Sequence, residues 1–170
     1  DTLDYNGYAA LQAAGLALAD ADRAMSAARI VKLPAEVELM RRACAVAEAA
    51  LGDMERAISP GVTENGLLAT FWHRVLAEGG EHCFTRLIVS GPKTNPWFHE
   101  ADDRAVEEGD LVAIDTDMIG PEGYVADFSR TFLCGDTASR AQREAYRVAQ
   151  DFVQGCCALI RPGLAFSDFV

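Results

Sequence analysis

The sequence predicts an α+β fold in which long helices flank a set of short strands, and three observations carry that prediction. Val37, Met40, Cys44, Ala47, Leu51, Met54 and Ile58 recur at alternating steps of three and four, which is one face of an amphipathic helix. Later, apolar runs at 84–90, 111–119 and 124–134 have strand length and strand composition, and Gly120-Pro121-Glu122-Gly123 separates the last two with strong turn chemistry. Finally, Ile58-Ser59-Pro60-Gly61-Val62 is echoed by Ile160-Arg161-Pro162-Gly163-Leu164, each closing a helix. Pro-Gly often ends helices, so chance is one account of the echo. The other is a duplicated unit of roughly a hundred residues whose second copy has only begun at Val170.

The elements follow in order. The first clear helix starts at Pro34, which suits a first turn, with Glu36 and Glu38 complementing its dipole. It runs to about Ile58, where Ser59-Pro60-Gly61 stops it. Thr63 is a good N-cap for a second helix carrying Leu67, Leu68, Phe71, Val75 and Leu76 to Gly79-Gly80. The three strands come next, with a loop containing Pro92, Asn95 and Pro96 after the first. A third amphipathic helix spans about Ser139 to Leu159, through Ala145, Val148, Phe152 and Cys156. Gly61 and Gly163 read as helix stops and not as phosphate cradles, since no glycine-rich loop follows a strand.

Composition narrows the function. The 170 residues carry a net charge of −11, scattered along the chain, which repels phosphate backbones and argues against a nucleic-acid partner. Such a field attracts cations, either metals or a cationic substrate. No run approaches the ~18 apolar residues of a membrane span. The Ala-rich start lacks a basic leader and does not read as a signal peptide. Five cysteines, in odd number and without CxxC spacing, point to free, buried thiols in a reducing cytoplasm.

The chemistry concentrates in LVAIDTDMIGPEGYVADFSRTFLCG, residues 111–135. Side chains alternate across a strand, so Asp115 and Asp117 share one face while Ile114 and Thr116 take the other. Asp127, on the returning strand, is placed close to opposite Asp115 if the turn closes near Pro121. Three carboxylates so close cannot all stay ionised in a half-buried site without cations, and Arg130 alone does not balance them. Oxygen-only donors suit hard or borderline divalent ions, two of them where a carboxylate bridges. The competing reading is a solvated acidic sheet face, which the buried character of Leu111-Val112-Ala113-Ile114 disfavours.

Gly109-Asp110-Leu111-Val112-Ala113-Ile114-Asp115 and Gly123-Tyr124-Val125-Ala126-Asp127-Phe128-Ser129-Arg130-Thr131-Phe132 resemble the pita-bread metallohydrolases, which include methionine aminopeptidase, aminopeptidase P, prolidase and the metal-free creatinase. Arg29 to Glu36 resembles the usual entry to their catalytic domain. The resemblance implies that 29–170 is the N-terminal half of a pita-bread catalytic domain, first repeat plus the start of the second. It implies that 1–28 is a linker or the end of an N-terminal domain. One departure is informative. The peptidases place their two aspartates eleven positions apart, whereas Asp115 and Asp117 lie twelve and ten positions before Asp127. That Asp-x-Asp, with Asn95-Pro96-Trp97-Phe98 upstream, is similar to the dimethylsulfoniopropionate lyases of this fold.

From that resemblance several expectations follow. Asp115, Asp117 and Asp127 are implied as ligands to two divalent metal ions, with iron the first choice. The implied substrate is a small sulfonium carboxylate, the protein a homodimer in its longer form. A histidine, two glutamates and the catalytic base are expected beyond Val170. Trp97 and His99 are candidate substrate contacts, although Trp97 suits the core slightly better and His99 equally suits the surface. His73 and His82 lack metal spacing and read as structural, and Arg130 either orients a carboxylate or pairs with a neighbouring strand. The alternatives are an Xaa-Pro metallopeptidase and a non-catalytic fragment or pseudoenzyme.

Overall fold

The computed structural model describes residues 3–169. The chain divides into two compact units, Asp1–Glu38 and Leu39–Val170. In the first, α1 (Tyr5–Ala13) is capped by Asp4, whose carboxylate accepts from Gly7 N at 2.6 Å, and α2 (Asp22–Ile30) follows. Neither helix has a buried residue.

The second unit is built on α3 (Pro34–Ala57) and α4 (Glu64–Ala77). Helix α3 is where it was expected, and its buried stripe keeps Ala47, Leu51 and Met54 of the expected face but turns away from that face's N-terminal half. Ala43, Val46, Ala47, Ala50, Leu51 and Met54 are buried, whereas Val37, Met40 and Cys44 are exposed. The reason is close approach. A Cβ added to Gly120 would lie 2.5 Å from Ala43 Cβ and 2.7 Å from Ala43 Cα, so the hairpin turn rests on the helix where both partners are small. Gly120 has an ordinary backbone (φ −80°), so Gly120→Ala tests this contact alone. We expect a loss of about 1–3 kcal/mol, read as a lower urea midpoint. Thr63 caps α4 as expected, accepting from Gly66 N at 3.0 Å, and Leu67, Phe71 and Val75 are buried beneath it.

The expected strands are shorter or broken. Of the first only β2 (Ile88–Ser90) is strand, and a separate β1 (His82–Cys83) precedes it; the second is divided into β3 (Leu111–Asp115) and β4 (Met118–Ile119), and the third into β5 (Val125–Ala126) and β6 (Ser129–Leu133). All pairings are antiparallel, in two sheets ordered β1-β4-β5 and β2-β3-β6. The hairpin thus passes from one sheet to the other, and the break falls at Thr116-Asp117. Thr116 is buried and bridges the gap: its N–H donates to Phe128 O, its hydroxyl donates to Ala126 O, and the same oxygen accepts from Phe128 N.

Glu64, wholly buried in the first turn of α4, ties the two layers together. Its carboxylate accepts from Ser90 N (2.7 Å), Ser90 Oγ (2.8 Å) and Asp102 N (3.2 Å), and pairs with Lys93. Arg104 donates to both Ser90 Oγ and Asp110, extending the network to the start of β3.

The sequence echo is also an echo in backbone geometry. Val62 N donates to Ser59 O and Leu164 N to Arg161 O, with Gly61 at φ +92° and Gly163 at +85°. Before the second turn lies α5 (Arg140–Leu159), opened by a capping box in which Ser139 and Gln142 satisfy each other's backbone N–H. Its amphipathic stripe is not covered within the described residues: Val148 and Phe152 are 56% and 72% exposed, and none of the helix is buried. The expectation that all five cysteines are buried is corrected too. Cys83 and Cys134 are buried, Cys44 and Cys157 are exposed, Cys156 is between, and all five are free thiols. Among the described residues, no helix is long and apolar enough to cross a membrane.

Candidate metal centre

Asp115, Asp117 and Asp127 come together at the point where the hairpin changes sheets. Each offers a carboxylate oxygen, and these oxygens all lie within 4.8 Å of one another. Among the described residues no other group of three His, Cys, Asp or Glu side chains does this. The register corrects one detail. Asp115 pairs with Ser129 and Met118 with Ala126, three steps along each limb, so Asp117 stands opposite Asp127 and Asp115 lies diagonal to it. The convergence is nonetheless the one expected from strand alternation.

A short segment frames the cluster. Phe84 N donates to Asp117 O (2.8 Å), Thr85 Oγ1 donates to Asp117 Oδ2 (2.7 Å), and Asp115 N donates to Leu87 O (3.0 Å). From the other side Ser129 Oγ donates to Asp115 Oδ1 at 2.9 Å. Asp117 itself takes a left-handed backbone (φ +34°), unusual for a residue with a Cβ.

The electrostatics are those of crowded anions. Loss of hydration raises the Asp127 carboxyl above the usual range, and the charges of Asp117 and Asp115 raise it further. Burial, and then the charge of Asp117, push the Cys83 thiol up to about 11. Cys83 is therefore a neutral thiol at neutral pH and no nucleophile. Arg130 does not relieve the cluster by an ion pair with an aspartate; its guanidinium lies over the Phe128 ring, 4.7 Å from the centroid, and donates to Ser129 O. An all-carboxylate donor set whose oxygens converge within 4.8 Å fits a hard or borderline divalent cation.

The other candidates are more loosely placed. Trp97 and His99 are both exposed, on the loop that leaves β2 after Ser90, so Trp97 is not the core residue that the sequence slightly favoured. That loop doubles back, because Ala101 N donates to Arg86 O, which returns it toward the segment framing the aspartates. His82 makes edge contacts with Trp72 and Phe84, as a structural histidine does. A groove of about 1140 Å³ between the end of α3, β6 and α5 is lined by Ile58, Phe132 and Tyr146 among others, but by none of the aspartates. Thr85 and Ser129 were not singled out from sequence, since a lone hydroxyl within a strand run carries no pattern.

Residues 38–169 match the family model described as metallopeptidase family M24. The chain belongs to metallopeptidase family M24. Over 99% of its length this M24 chain is 34% identical to the dimethylsulfoniopropionate lyase DddP of Roseobacter denitrificans. It is 28% identical to the Xaa-Pro dipeptidase of Pyrococcus furiosus over 82% of its length. The solved prolidase from Pyrococcus furiosus superposes with a TM-score of 0.79 at 27% identity, covering 87% of this chain and 44% of that one. The fold is accordingly the pita-bread fold, in its first repeat and the start of the second. The chain spans about 39% of the length of the lyase and about 40% of the dipeptidase.

Proposed function

We propose that the protein to which this chain contributes is a metal-dependent lyase that cleaves dimethylsulfoniopropionate to dimethyl sulfide and acrylate. The observation that carries the reading is the 34% identity to a dimethylsulfoniopropionate lyase along 99% of the chain. The third carboxylate, Asp117, supports it. Asp115, Asp117 and Asp127 are assigned as the chain's ligands to two divalent ions, with iron the first choice. A bound cation would supply positive charge to hold the substrate carboxylate and acidify the adjacent C–H.

The reaction is an elimination. A base, expected beyond Val170, takes a proton from the carbon next to the carboxylate, the C–S bond breaks with its electron pair going to sulfur, and a C=C bond forms. This chain's part is to hold, through its aspartates, the cation that would orient the carboxylate end, its net negative charge favouring the sulfonium. Trp97 is assigned to the sulfonium by cation–π attraction, and His99 to the same side of the substrate.

Headspace dimethyl sulfide from the full-length protein tests the reading, with Asp117→Gly as its control. Glycine tolerates φ +34° better than aspartate, so this substitution removes a carboxylate while relaxing the backbone. We expect dimethyl sulfide release by the wild type and its loss in the variant; full release by Asp117→Gly would make the Asp-Thr-Asp sequence incidental. An Xaa-Pro metallopeptidase is the second reading, favoured by the 28% identity to a dipeptidase. Cleavage of an Xaa-Pro dipeptide without dimethyl sulfide release would select it.

A further inference from the structure

We propose that Thr85 is a positioning residue for the metal centre, acting through Asp117. The inference rests on the assignment of the aspartates as metal ligands but concerns a residue outside them. Asp117 lies in the gap between β3 and β4, where its own ladder bonds are interrupted, and its backbone is left-handed. A carboxylate in that setting has rotational freedom that a ligand must lose on binding. Two bonds from one short segment remove it. Phe84 N holds the Asp117 carbonyl, and Thr85 Oγ1 holds Oδ2 at 2.7 Å. With one oxygen held, the carboxylate plane is set and the other oxygen is left to the cluster.

Thr85 is half-buried, so this hydrogen bond is partly shielded from water. A donor to an ionised carboxylate is among the stronger hydrogen bonds a neutral side chain makes. Partners of this kind around metal ligands change affinity by about 10–100-fold when removed.

The test is titration of the metal-free full-length protein with Mn2+, followed by the loss of the free-ion paramagnetic resonance signal. Thr85→Val keeps the shape and removes the donor, and should weaken Mn2+ binding by about 10–100-fold with an unchanged melting temperature. Thr85→Ser restores the hydroxyl and should recover most of the affinity. In an Asp117→Gly background Thr85→Val should have no further effect, because the interaction would already be gone. Unchanged binding by Thr85→Val, failure of Thr85→Ser to rescue, or an equal loss in the Asp117→Gly background would each overturn the proposal. If the wild type itself takes up no Mn2+, the assignment of the aspartates falls first, and this role with it.

Discussion

Asp127→Ala in the full-length protein is expected to abolish metal retention, with elemental analysis of the purified variant as the measurement. Asp127 stands opposite Asp117 and diagonal to Asp115, so it is the one carboxylate that faces both others across the hairpin. Its removal leaves one of the three carboxylate pairs that make the site a cation trap and takes away the cluster's carboxylate on the returning limb. The remaining pair lies on one limb, where two aspartates two residues apart read as an ordinary acidic edge. Metal content equal to wild type in this variant would remove the basis for a metal centre here.

The same residue sets a pH dependence. The Asp127 carboxyl is raised by lost hydration and by its two neighbours. A raised carboxyl favours the folded protein below its unfolded pKa, and that contribution is lost as pH rises through the raised folded value. The contribution of Asp127 to the stability of the metal-free protein should therefore fall as pH climbs through the carboxylate range, opposite in sign to that of Asp102, whose carboxyl is lowered by the Arg104 N–H and by Lys93. A divalent cation should reverse the trend by neutralising the ionised cluster, while protons compete with it on the acid side. Thermal melts from acid to neutral pH, with and without Mn2+, would read both limbs. Parallel curves would mean that the cluster is a solvated acidic face.

Glu64→Ala is expected to be strongly destabilising while leaving the aspartates untouched. Glu64 is fully buried, and its carboxylate satisfies Ser90 N, Ser90 Oγ, Asp102 N and Lys93 at once. Alanine would leave these donors without their acceptor inside the fold, and removing one partner of a buried pair costs about 3–5 kcal/mol. The lower end is the better expectation, since Lys93 keeps 21% of its side-chain exposure and also reaches Asp102 at 3.0 Å. Glu64→Gln keeps an acceptor for Ser90 and should cost less. Urea midpoints of the two variants would check the order, and a loss as small in Glu64→Ala as in Glu64→Gln would show that the network is incidental.

Much of this protein was legible in its sequence because the relevant signals are local. Helix periodicity, the Thr63 and Ser139 caps, the Pro-Gly stops and the alternation that turns Asp115 and Asp117 to one side all depend on residues a few positions apart. The lineage motif around Asp127 is equally local. What only the tertiary structure decided depends on which surfaces meet. The stripe that α3 buries includes Ala43, where the Gly120 turn comes too close for a larger side chain, and no periodicity of large apolar residues reports a backbone approach. Glu64 reads in sequence as an ordinary first-turn acid. Only the fold of the Ser90–Asp102 loop over it shows a buried hub. Thr85 is invisible for the same reason: thirty-two residues separate it from Asp117, and their hydrogen bond exists only because the chain crosses from β1 to β2, between two sheets, beside the aspartates.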